Sequence, residues 1–306
     1  MPLDPRARRF LDLIALAGPG PATPEARRAG VRALARFAGP PAALAAVAEH
    51  ALPGPAGRLP ARLYVPHAGP AGPGLLFLHG GGFVAGDLDS HDGLCRALAA
   101  EAGVRVLALD YRLAPEHPFP AALEDAAAAL AWLAEAGAGL GIEAARLAVG
   151  GDSAGAGIAA SLCARARDRG GPAIAGQVLL CPVLDAAGEG GSRVAFAEGH
   201  GLDQATLARD VAAYAGSRDP RDPAISPLRA TAFAGLPPAL IHTAACDLVR
   251  DDGAAYADRL AAAGVRVRHT CHPGMIHHFY GLGGLIPYAA AALRQVGAEL
   301  RDLLGG

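Results

Sequence analysis

The sequence predicts an α/β fold in which helices flank a mostly parallel β-sheet. Short apolar segments such as LLFL and VLAL alternate along the chain with longer helical segments, as in strand–helix–strand units. These apolar segments are continuous, which is typical of strands buried on both faces of a parallel sheet. A length of 306 residues and a hydrophobic content of 52% allow either one large α/β domain or two average domains.

The hydrophobic pattern predicts seven strands and six helices. The predicted strands are Ala61–Val65, Gly74–Leu78, Val104–Ala108, Arg146–Gly150, Gln177–Cys181, Pro238–Thr243 and Val265–Cys271. The predicted helices span about 91–101, 120–136, 154–168, 203–215, 253–264 and 287–303. Two regions interrupt the alternation: residues 1–50 have a helical pattern, and residues 184–234 contain little regular structure. Because long irregular segments are often lids, we expect both regions to cover one end of the sheet.

Composition excludes several classes of partner and chemistry. The net charge of -2 gives no electrostatic reason for binding nucleic acid or an anionic membrane. All 27 basic residues are arginine, so no lysine is available as a nucleophile, a base or a Schiff-base former. The five cysteines are odd in number, widely spaced and without a C-x-x-C pair. We expect small buried thiols in a reducing compartment, with neither a disulfide framework nor a zinc site.

The N-terminal segment predicts an amphipathic helix. Three arginines precede the apolar run Leu13–Ala17, but this run is too short for a signal peptide, and Asp4 and Asp12 are unusual in one. No apolar run approaches the roughly 18 residues of a membrane span. We therefore expect a cytoplasmic protein without stable membrane insertion.

A serine flanked by glycines stands at one strand-to-helix junction. The segment LAVGGDSAGAG places Ser153 between the predicted strand Arg146–Gly150 and a helix that begins at Ala154. Residues without a Cβ allow a tight turn, and the helix N-terminus adds partial positive charge and free N–H groups. This position is typical of a nucleophile, with the N–H of Ala154 stabilising an oxyanion, and Asp152 is expected to brace the turn. The alternative is a glycine-rich turn with a structural serine.

A second glycine run follows the predicted strand Gly74–Leu78. His79 is followed by Gly80, Gly81 and Gly82, whose backbone N–H groups can approach a ligand closely. A G-x-S-x-G turn together with an HGGG loop is typical of esterases and lipases with the α/β-hydrolase fold. Phosphate binding is the alternative, but the chain has no G-x-x-x-x-G-K-[ST] segment and no lysine.

A serine nucleophile needs a histidine base and a carboxylate that orients it, in the chain order serine, acid, histidine. Asp247 follows the predicted strand Pro238–Thr243, so we expect its carboxylate at the C-terminal edge of the sheet. Asp251 and Asp252 are the alternatives, and their position favours the start of the following helix.

The segment HTCHPGMIHHF contains four candidates for the base. His269 and His272 lie in or at the end of a predicted strand, where packing or surface positions are ordinary. His277 and His278 lie in the loop before the last helix, from which a base can reach the serine, and the pattern leaves these two nearly equal. Four histidines so close together in the sequence could alternatively form a metal site. We expect none, because H-E-x-x-H and a matched carboxylate cluster are absent.

Six longer segments, which together span nearly the whole chain, are specific enough to be compared with known protein families in both sequence and order. They are HGGGFVAGDLDSHD (79–92), YRLAPEHPFPAALED (111–125), GGDSAGAG (150–157), DPAISPL (222–228), DLVRDDGAAYADRL (247–260) and GMIHHF (274–279). With the N-terminal MPLDP, they resemble the bacterial hormone-sensitive-lipase-like (family IV) esterases of the α/β-hydrolase superfamily. The resemblance implies an α/β-hydrolase domain over residues 51–306 and a helical cap made from residues 1–50 and about 184–225.

The resemblance also implies a role for each matched residue. Ser153 is the implied nucleophile, His277 the general base and acid, and Asp247 the orienting carboxylate. The implied oxyanion hole consists of the backbone N–H groups of Gly81, Gly82 and Ala154. Such esterases hydrolyse short- to medium-chain carboxylic esters without a metal or organic cofactor, and many are homodimers.

Two departures from the family pattern concern loops beside the implied site. His278 stands where the family usually has glycine, and Leu248 stands where proline is usual, after Ala245–Cys246 and Asp247. Neither departure removes an implied catalytic residue. The same mechanism acting on lactones, acetylated sugars or arylamides is an alternative function. A non-catalytic binding protein, like the related plant gibberellin receptors that lost the histidine, is a more remote one.

Overall fold

The computed structural model describes residues 2–16, 18 and 23–305. Eight strands lie within them: β1 (Ala46–Gly54), β2 (Gly57–Val65), β3 (Gly72–Leu78), β4 (Arg105–Leu109), β5 (Ile142–Asp152), β6 (Gly176–Leu180), β7 (Ala239–Ala244) and β8 (Val267–His272). They form one sheet in the order β1-β2-β4-β3-β5-β6-β7-β8. β2 pairs antiparallel with β1 and β4, and the other pairings are parallel. The predicted mostly parallel sheet is confirmed.

Helices flank both faces of this sheet. The described residues contain α1 (Pro5–Ala15), α2 (Pro24–Leu34), α3 (Asp92–Ala102), α4 (Ala121–Ala136), α5 (Ala154–Arg169), α6 (Ser192–Ala195), α7 (Gln204–Ala215), α8 (Arg250–Ala262) and α9 (Tyr288–Leu303). Along β3, Leu75 and Phe77 join a core formed with α1, α3 and α9. Leu76 and Leu78 point to the other face and join a core formed with α4, α5 and α8. The strands are therefore buried on both faces, as their continuous apolar pattern predicted.

Every predicted strand and helix corresponds to an observed element, with ends that differ by at most four residues. The prediction of a helical pattern throughout residues 1–50 is wrong at its end, because β1 begins at Ala46. The sequence of β1, AVAEHALPG, is rich in alanine, which favours helices, and Leu52 is its one fully buried side chain. β1 is an edge strand that pairs with β2 through a tight hairpin, and this pairing leaves no clear hydrophobic alternation.

The N-terminal helix is observed as α1, whose N-cap residue Asp4 accepts hydrogen bonds from the N–H groups of Arg6 and Ala7. Ala17, the last residue of the apolar run, lies outside the described residues. No helix in the described part of the chain is long and apolar enough to span a membrane. All five cysteines are free thiols; four are buried, but Cys271 is exposed, so the expectation of burial is wrong there.

The carboxyl ends of the parallel strands bring the predicted site residues to one edge of the sheet. His79 follows β3 directly, and Ser153 follows β5 directly. Asp247 and His277 lie in the loops that follow β7 and β8. Ligands bind at this edge in open α/β sheets, so the topology places the candidate site where the fold accepts one.

Candidate active site

Ser153 occupies a sharp turn between β5 and α5. Its backbone has φ 53° and ψ -119°, a region in which a residue with a side chain is strained by about 1–3 kcal/mol. Three backbone hydrogen bonds hold it there: the Ser153 N–H donates to the Leu180 carbonyl (2.8 Å), and the Ser153 carbonyl accepts from the N–H groups of Val183 (3.1 Å) and Gly157 (3.2 Å). A Cβ at Gly155 would lie 2.0 Å from the Leu78 carbonyl oxygen. Glycine is therefore required for α5 to approach β3 this closely.

A chain of hydrogen bonds joins Ser153 to His277 and Asp247. The Ser153 Oγ lies 2.8 Å from His277 Nε2, and His277 Nδ1 lies 2.8 Å from Asp247 Oδ2. An ionised carboxylate can only accept, so Nδ1–H donates to Asp247 and the unprotonated Nε2 accepts from the serine hydroxyl. Asp247 is fully buried, and its second oxygen accepts a hydrogen bond from the Val249 N–H. The arrangement can move a proton from serine to histidine.

The alternative acids have other partners. Asp251 and Asp252 lie in the first turn of α8, as predicted for residues that start a helix. Asp252 accepts hydrogen bonds from the N–H groups of Leu184 and Asp185 and pairs with Arg193 at 2.7 Å. Of the candidate acids, the structure brings Asp247 to the histidine.

The other two histidines of the β8 segment form hydrogen bonds with side chains of β7. His269 Nε2 lies 3.0 Å from Thr243 Oγ1, and His272 Nε2 lies 3.0 Å from His242 Nδ1. Burial and the nearby His242 lower the pKa of His272 to about 4, so this imidazole is neutral at neutral pH. Both contacts are hydrogen bonds between side chains of β7 and β8.

The glycine loop after β3 leaves backbone N–H groups free beside the serine. No described residue accepts a hydrogen bond from the N–H groups of Gly81, Gly82 or Ala154. Gly82 has φ +66°, and a Cβ there would lie 2.0 Å from the Asp210 carboxylate. Gly81 and Gly82 line the same cavity as Ser153 and His277. These groups are available to a negatively charged oxygen.

Asp152 connects three loops of the site. Its Oδ1 accepts a hydrogen bond from the Gly80 N–H (2.8 Å), and its Oδ2 lies 3.2 Å from His278 Nδ1. His91 Nε2 lies 3.2 Å from Oδ1. Burial alone would raise the pKa of Asp152. His91 and His278 outweigh this effect and together hold the pKa well below its usual range. The brace expected of Asp152 thus extends to the loop that carries His277.

His278 has a conformation that explains why glycine is usual at its position in the resembling family. Its φ is 58°, in the left-handed region that glycine adopts without cost. Burial lowers the pKa of His278, so a neutral imidazole donates from Nδ1 to the ionised Asp152. Histidine in place of the usual glycine at position 278 therefore adds a hydrogen bond across the site. The Ser153–His277 contact remains in place.

Two groups of potential metal ligands exist in the described residues. They are His91–Asp152–His278 and Cys181–Asp247–His277, with ligand atoms within 4.8 Å of one another in each. Hydrogen bonds already engage the carboxylate of each group. Burial raises the pKa of the Cys181 thiol well above its usual range, which keeps the sulfur protonated and disfavours metal binding in the second group.

The serine opens into a cavity of about 240 Å³. Its wall opposite the sheet is mostly apolar and comes from the N-terminal helices and the region around α7: Phe10, Ile14, Val31, Leu34, Leu202 and Leu207. Arg27 also lines this wall. The site therefore offers an apolar chamber beside the serine, closed by segments outside the alternating β/α core.

A family model described as "alpha/beta hydrolase fold" matches residues 75–281, which include the glycine loop, the serine turn and the loops of Asp247 and His277. The chain belongs to the α/β-hydrolase fold family. Esterase LipI of Mycobacterium tuberculosis is 44% identical to this hydrolase over 265 residues, 85% of this chain and 83% of the relative. Ethyl acetate hydrolase of Pseudomonas putida is 43% identical over 253 residues, 80% of this chain and 79% of the relative.

Solved structures agree with this assignment. An ester hydrolase from the metagenome of Lake Arreo, complexed with a bipyridine phosphonate derivative, is 40% identical to this hydrolase with a TM-score of 0.95. That match covers 99% of this chain and 100% of the other. A hyperthermophilic esterase of Pyrobaculum calidifontis is 35% identical, with a TM-score of 0.93 and 99% coverage of both chains. The predicted resemblance to hormone-sensitive-lipase-like esterases is confirmed.

Sequence reasoning missed some residues that surround the site of this hydrolase. Arg27 and Asp210 form an ion pair beside Gly82, although 183 positions separate them in the sequence. His91, which no motif singled out, lies beside Asp152, where it meets His278. No local pattern marks such pairs, because only the folded chain brings them together.

Proposed function

We propose that this hydrolase is a serine carboxylesterase that acts on short- to medium-chain carboxylic esters through an acyl-enzyme. The observation that carries the proposal is the hydrogen-bonded chain from the Ser153 Oγ through His277 to the buried Asp247, with 2.8 Å at both links. Such a chain activates a hydroxyl that is otherwise a weak nucleophile at neutral pH. The names of the esterase relatives support the same reaction class.

In the first half-reaction, the Ser153 Oγ attacks the ester carbonyl carbon while its proton passes to His277 Nε2. The carbonyl oxygen becomes an oxyanion that accepts hydrogen bonds from the N–H groups of Gly81, Gly82 and Ala154. Asp247 stabilises the imidazolium that forms. The intermediate then collapses: the bond to the alkoxy oxygen breaks, this oxygen takes the proton from His277, and the alcohol leaves.

In the second half-reaction, water replaces the alcohol. His277 takes a proton from the water, whose oxygen attacks the acyl carbon bound to Ser153. The oxyanion forms again at the glycine loop, the bond to the Ser153 Oγ breaks, and the serine recovers its proton from His277. The carboxylic acid is released, and every atom transferred comes from the ester, the water or the serine hydroxyl.

The cavity supports small acyl groups. Its volume of about 240 Å³ is below the roughly 300–1,000 Å³ of common ligand pockets. We propose that the N-terminal helices and the segment 184–225 form a cap that bounds this acyl pocket, because α1, α2 and α7 contribute its apolar wall. A long acyl chain would have to displace these helices or leave the cavity.

Hydrolysis of a p-nitrophenyl ester series from acetate to palmitate tests the proposal. We expect activity to peak at short or medium chains and Ser153→Ala to lose roughly 10³-fold or more in kcat. Ser161→Ala is the matched control, because Ser161 is a second buried serine, on α5 and remote from His277.

Two results would oppose the proposal. A wild-type protein that is inert on every ester would point to the alternative substrates, lactones, acetylated sugars and arylamides, or to a binding role. Full activity in Ser153→Ala would remove Ser153 as the nucleophile.

A further inference from the structure

An ion pair between two cap helices lies directly against the glycine loop. Arg27 on α2 donates from Nε to Oδ2 of Asp210 on α7 at 3.1 Å. The same Oδ2 would lie 2.0 Å from a Cβ built on Gly82, so the carboxylate is in contact with this glycine. The Asp210 side chain is 8% exposed. A buried negative charge therefore stands beside one of the N–H groups assigned to the oxyanion.

A bare carboxylate at this position would oppose the proposed reaction. Two negative charges a few ångströms apart repel strongly when water is largely excluded, and the oxyanion would form next to Asp210. Burial raises the pKa of Asp210 to about 6 in spite of Arg27, so the group is ionised at neutral pH. The charged groups that face it are Arg27 and Arg209, which favour its ionised form, and Asp203, which opposes it.

Arg27 is the side chain that contacts this carboxylate directly. Among the described residues, no other side chain forms a salt bridge or hydrogen bond with Asp210. The Arg27 side chain is 29% exposed and lines the cavity together with Gly82 and Ser153. Its positive charge is thus close enough to offset the field of Asp210 at the glycine loop.

We propose that Arg27 is a positioning residue that neutralises Asp210, so that the oxyanion at Gly82 forms without a facing negative charge. This inference rests on the proposed esterase function and adds a role for the cap. Because Arg27 belongs to α2, the electrostatics of the glycine loop are complete only while this helix covers the site. The cap then contributes to the chemical step in addition to bounding the acyl pocket.

The test compares Arg27→Met, Arg27→Lys and the double variant Arg27→Met/Asp210→Asn with wild type on p-nitrophenyl butyrate from pH 6 to 9. Without Arg27, Asp210 is protonated at low pH and ionised at high pH, so the loss must grow as pH rises. We expect Arg27→Met to lower kcat about tenfold at pH 8.5 but less than about threefold at pH 6. Arg27→Lys keeps the charge and most of the activity, and the double variant recovers most of the loss.

An inhibitor pair provides a readout that a structural role would not change. A trifluoromethyl ketone forms an anionic adduct with the serine, whereas the corresponding methyl ketone binds as a neutral ligand. Arg27→Met should weaken the trifluoromethyl ketone about tenfold at pH 8.5 and leave the methyl ketone within about twofold. Arg27→Gln serves for the same comparison if Arg27→Met does not fold.

The outcomes separate the inference from the proposed function. An active wild type in which Arg27→Met loses the same factor at every pH, or loses nothing, overturns the inference alone. The inference is also overturned if kcat of the double variant is no higher than kcat of Arg27→Met. Arg27 would then act by keeping the cap helices in place, and not by neutralising Asp210. A wild type inert on all esters overturns both the inference and the esterase function.

Discussion

His278 Nδ1 lies 3.2 Å from Asp152 Oδ2, which ties the residue after His277 to the residue before Ser153. The other oxygen of Asp152 accepts the Gly80 N–H at 2.8 Å. One buried carboxylate therefore links the serine turn, the glycine loop and the histidine loop. We expect the relative positions of the proposed nucleophile, base and oxyanion donors to depend on this link.

We expect His278→Gly to lower kcat by about three- to tenfold with little change in KM, because the histidine loop loses its tie to the serine turn. Loss of the hydrogen bond to the charged Asp152 should lower the free energy of unfolding by about 1.5–3 kcal/mol. Glycine adopts the left-handed conformation without strain, which should raise the free energy of unfolding by about 1–2 kcal/mol. The net loss of stability should therefore be small, about 1 kcal/mol. Kinetics on p-nitrophenyl butyrate and thermal unfolding check both values.

The control for this change is His67→Gly, at an exposed histidine in the turn after β2. It should leave kcat unaffected. If His278→Gly matched wild type in kcat, the link would be a packing contact without influence on the reaction.

Asp247→Asn should lower kcat by about 10⁴-fold while KM changes little, the magnitude known for the orienting aspartate of serine protease triads. An amide in place of the carboxylate can donate to Nδ1, which stabilises the wrong tautomer of His277 and leaves no base for the Ser153 hydroxyl. Asp251→Asn is the matched control. The Asp251 carboxylate accepts a hydrogen bond from the Ser192 N–H in a neighbouring turn and does not contact His277. Comparable losses in the two variants would refute the assignment of Asp247.

Gly82→Ala should lower kcat by about 10²-fold, within the range for removal of one oxyanion donor. The added Cβ would meet the Asp210 carboxylate, and φ +66° strains any residue with a side chain, so the N–H of residue 82 must move. Gly139→Ala is the control, since a Cβ there meets nothing within 4 Å. Retained activity in Gly82→Ala would show that this N–H does not hold the oxyanion.

The local motifs explain how much of the site could be predicted. Ser153 and His79, the first residue of the glycine loop, stand directly after buried strands, and parallel strands must bring their carboxyl ends to one edge. Asp247 was predicted from its strand in the same way. The choice between His277 and His278 needed the resemblance, because both lie in one loop and only the backbone decides which side chain faces the serine.

The parts that could not be predicted depend on contacts between distant segments. β1 becomes a strand because β2 offers it an edge, although its alanine-rich sequence favours a helix. Arg27 and Asp210 are unremarkable residues of two amphipathic helices until both pack over Gly82. Their proposed role depends on the burial of the Asp210 carboxylate, which neither the composition nor the residue spacing predicts.

Asp110 provides a pH-dependent test of stability. Burial, followed by the charge of Asp87, raises the pKa of Asp110 to about 6, above the unfolded value of about 3.9. The folded state therefore keeps a proton that the unfolded state releases between about pH 4 and 6, and stability falls as pH rises through this window. Asp110→Asn should raise the melting temperature at pH 7.5, with a gain that shrinks to nothing near pH 4.

Differential scanning calorimetry of wild type and variant at both pH values measures this effect. Asp258→Asn, at an exposed position on α8, serves as the control. A gain of equal size at pH 4 and 7.5 would show that the carboxyl of Asp110 is not the group responsible.

The covalent bond that we propose between Ser153 and the substrate can be tested with a p-nitrophenyl alkylphosphonate. The serine oxygen attacks phosphorus, p-nitrophenolate leaves, and the adduct remains because water cannot readily displace it. Trypsin releases residues 147–165 as one peptide, which contains Ser153 and Ser161, and fragmentation distinguishes the two. We predict one equivalent of p-nitrophenolate, complete loss of esterase activity and the phosphonyl group on Ser153. If the protein were inactivated with the phosphonyl group on another residue, or with no bound phosphonyl group, Ser153 would not be the nucleophile.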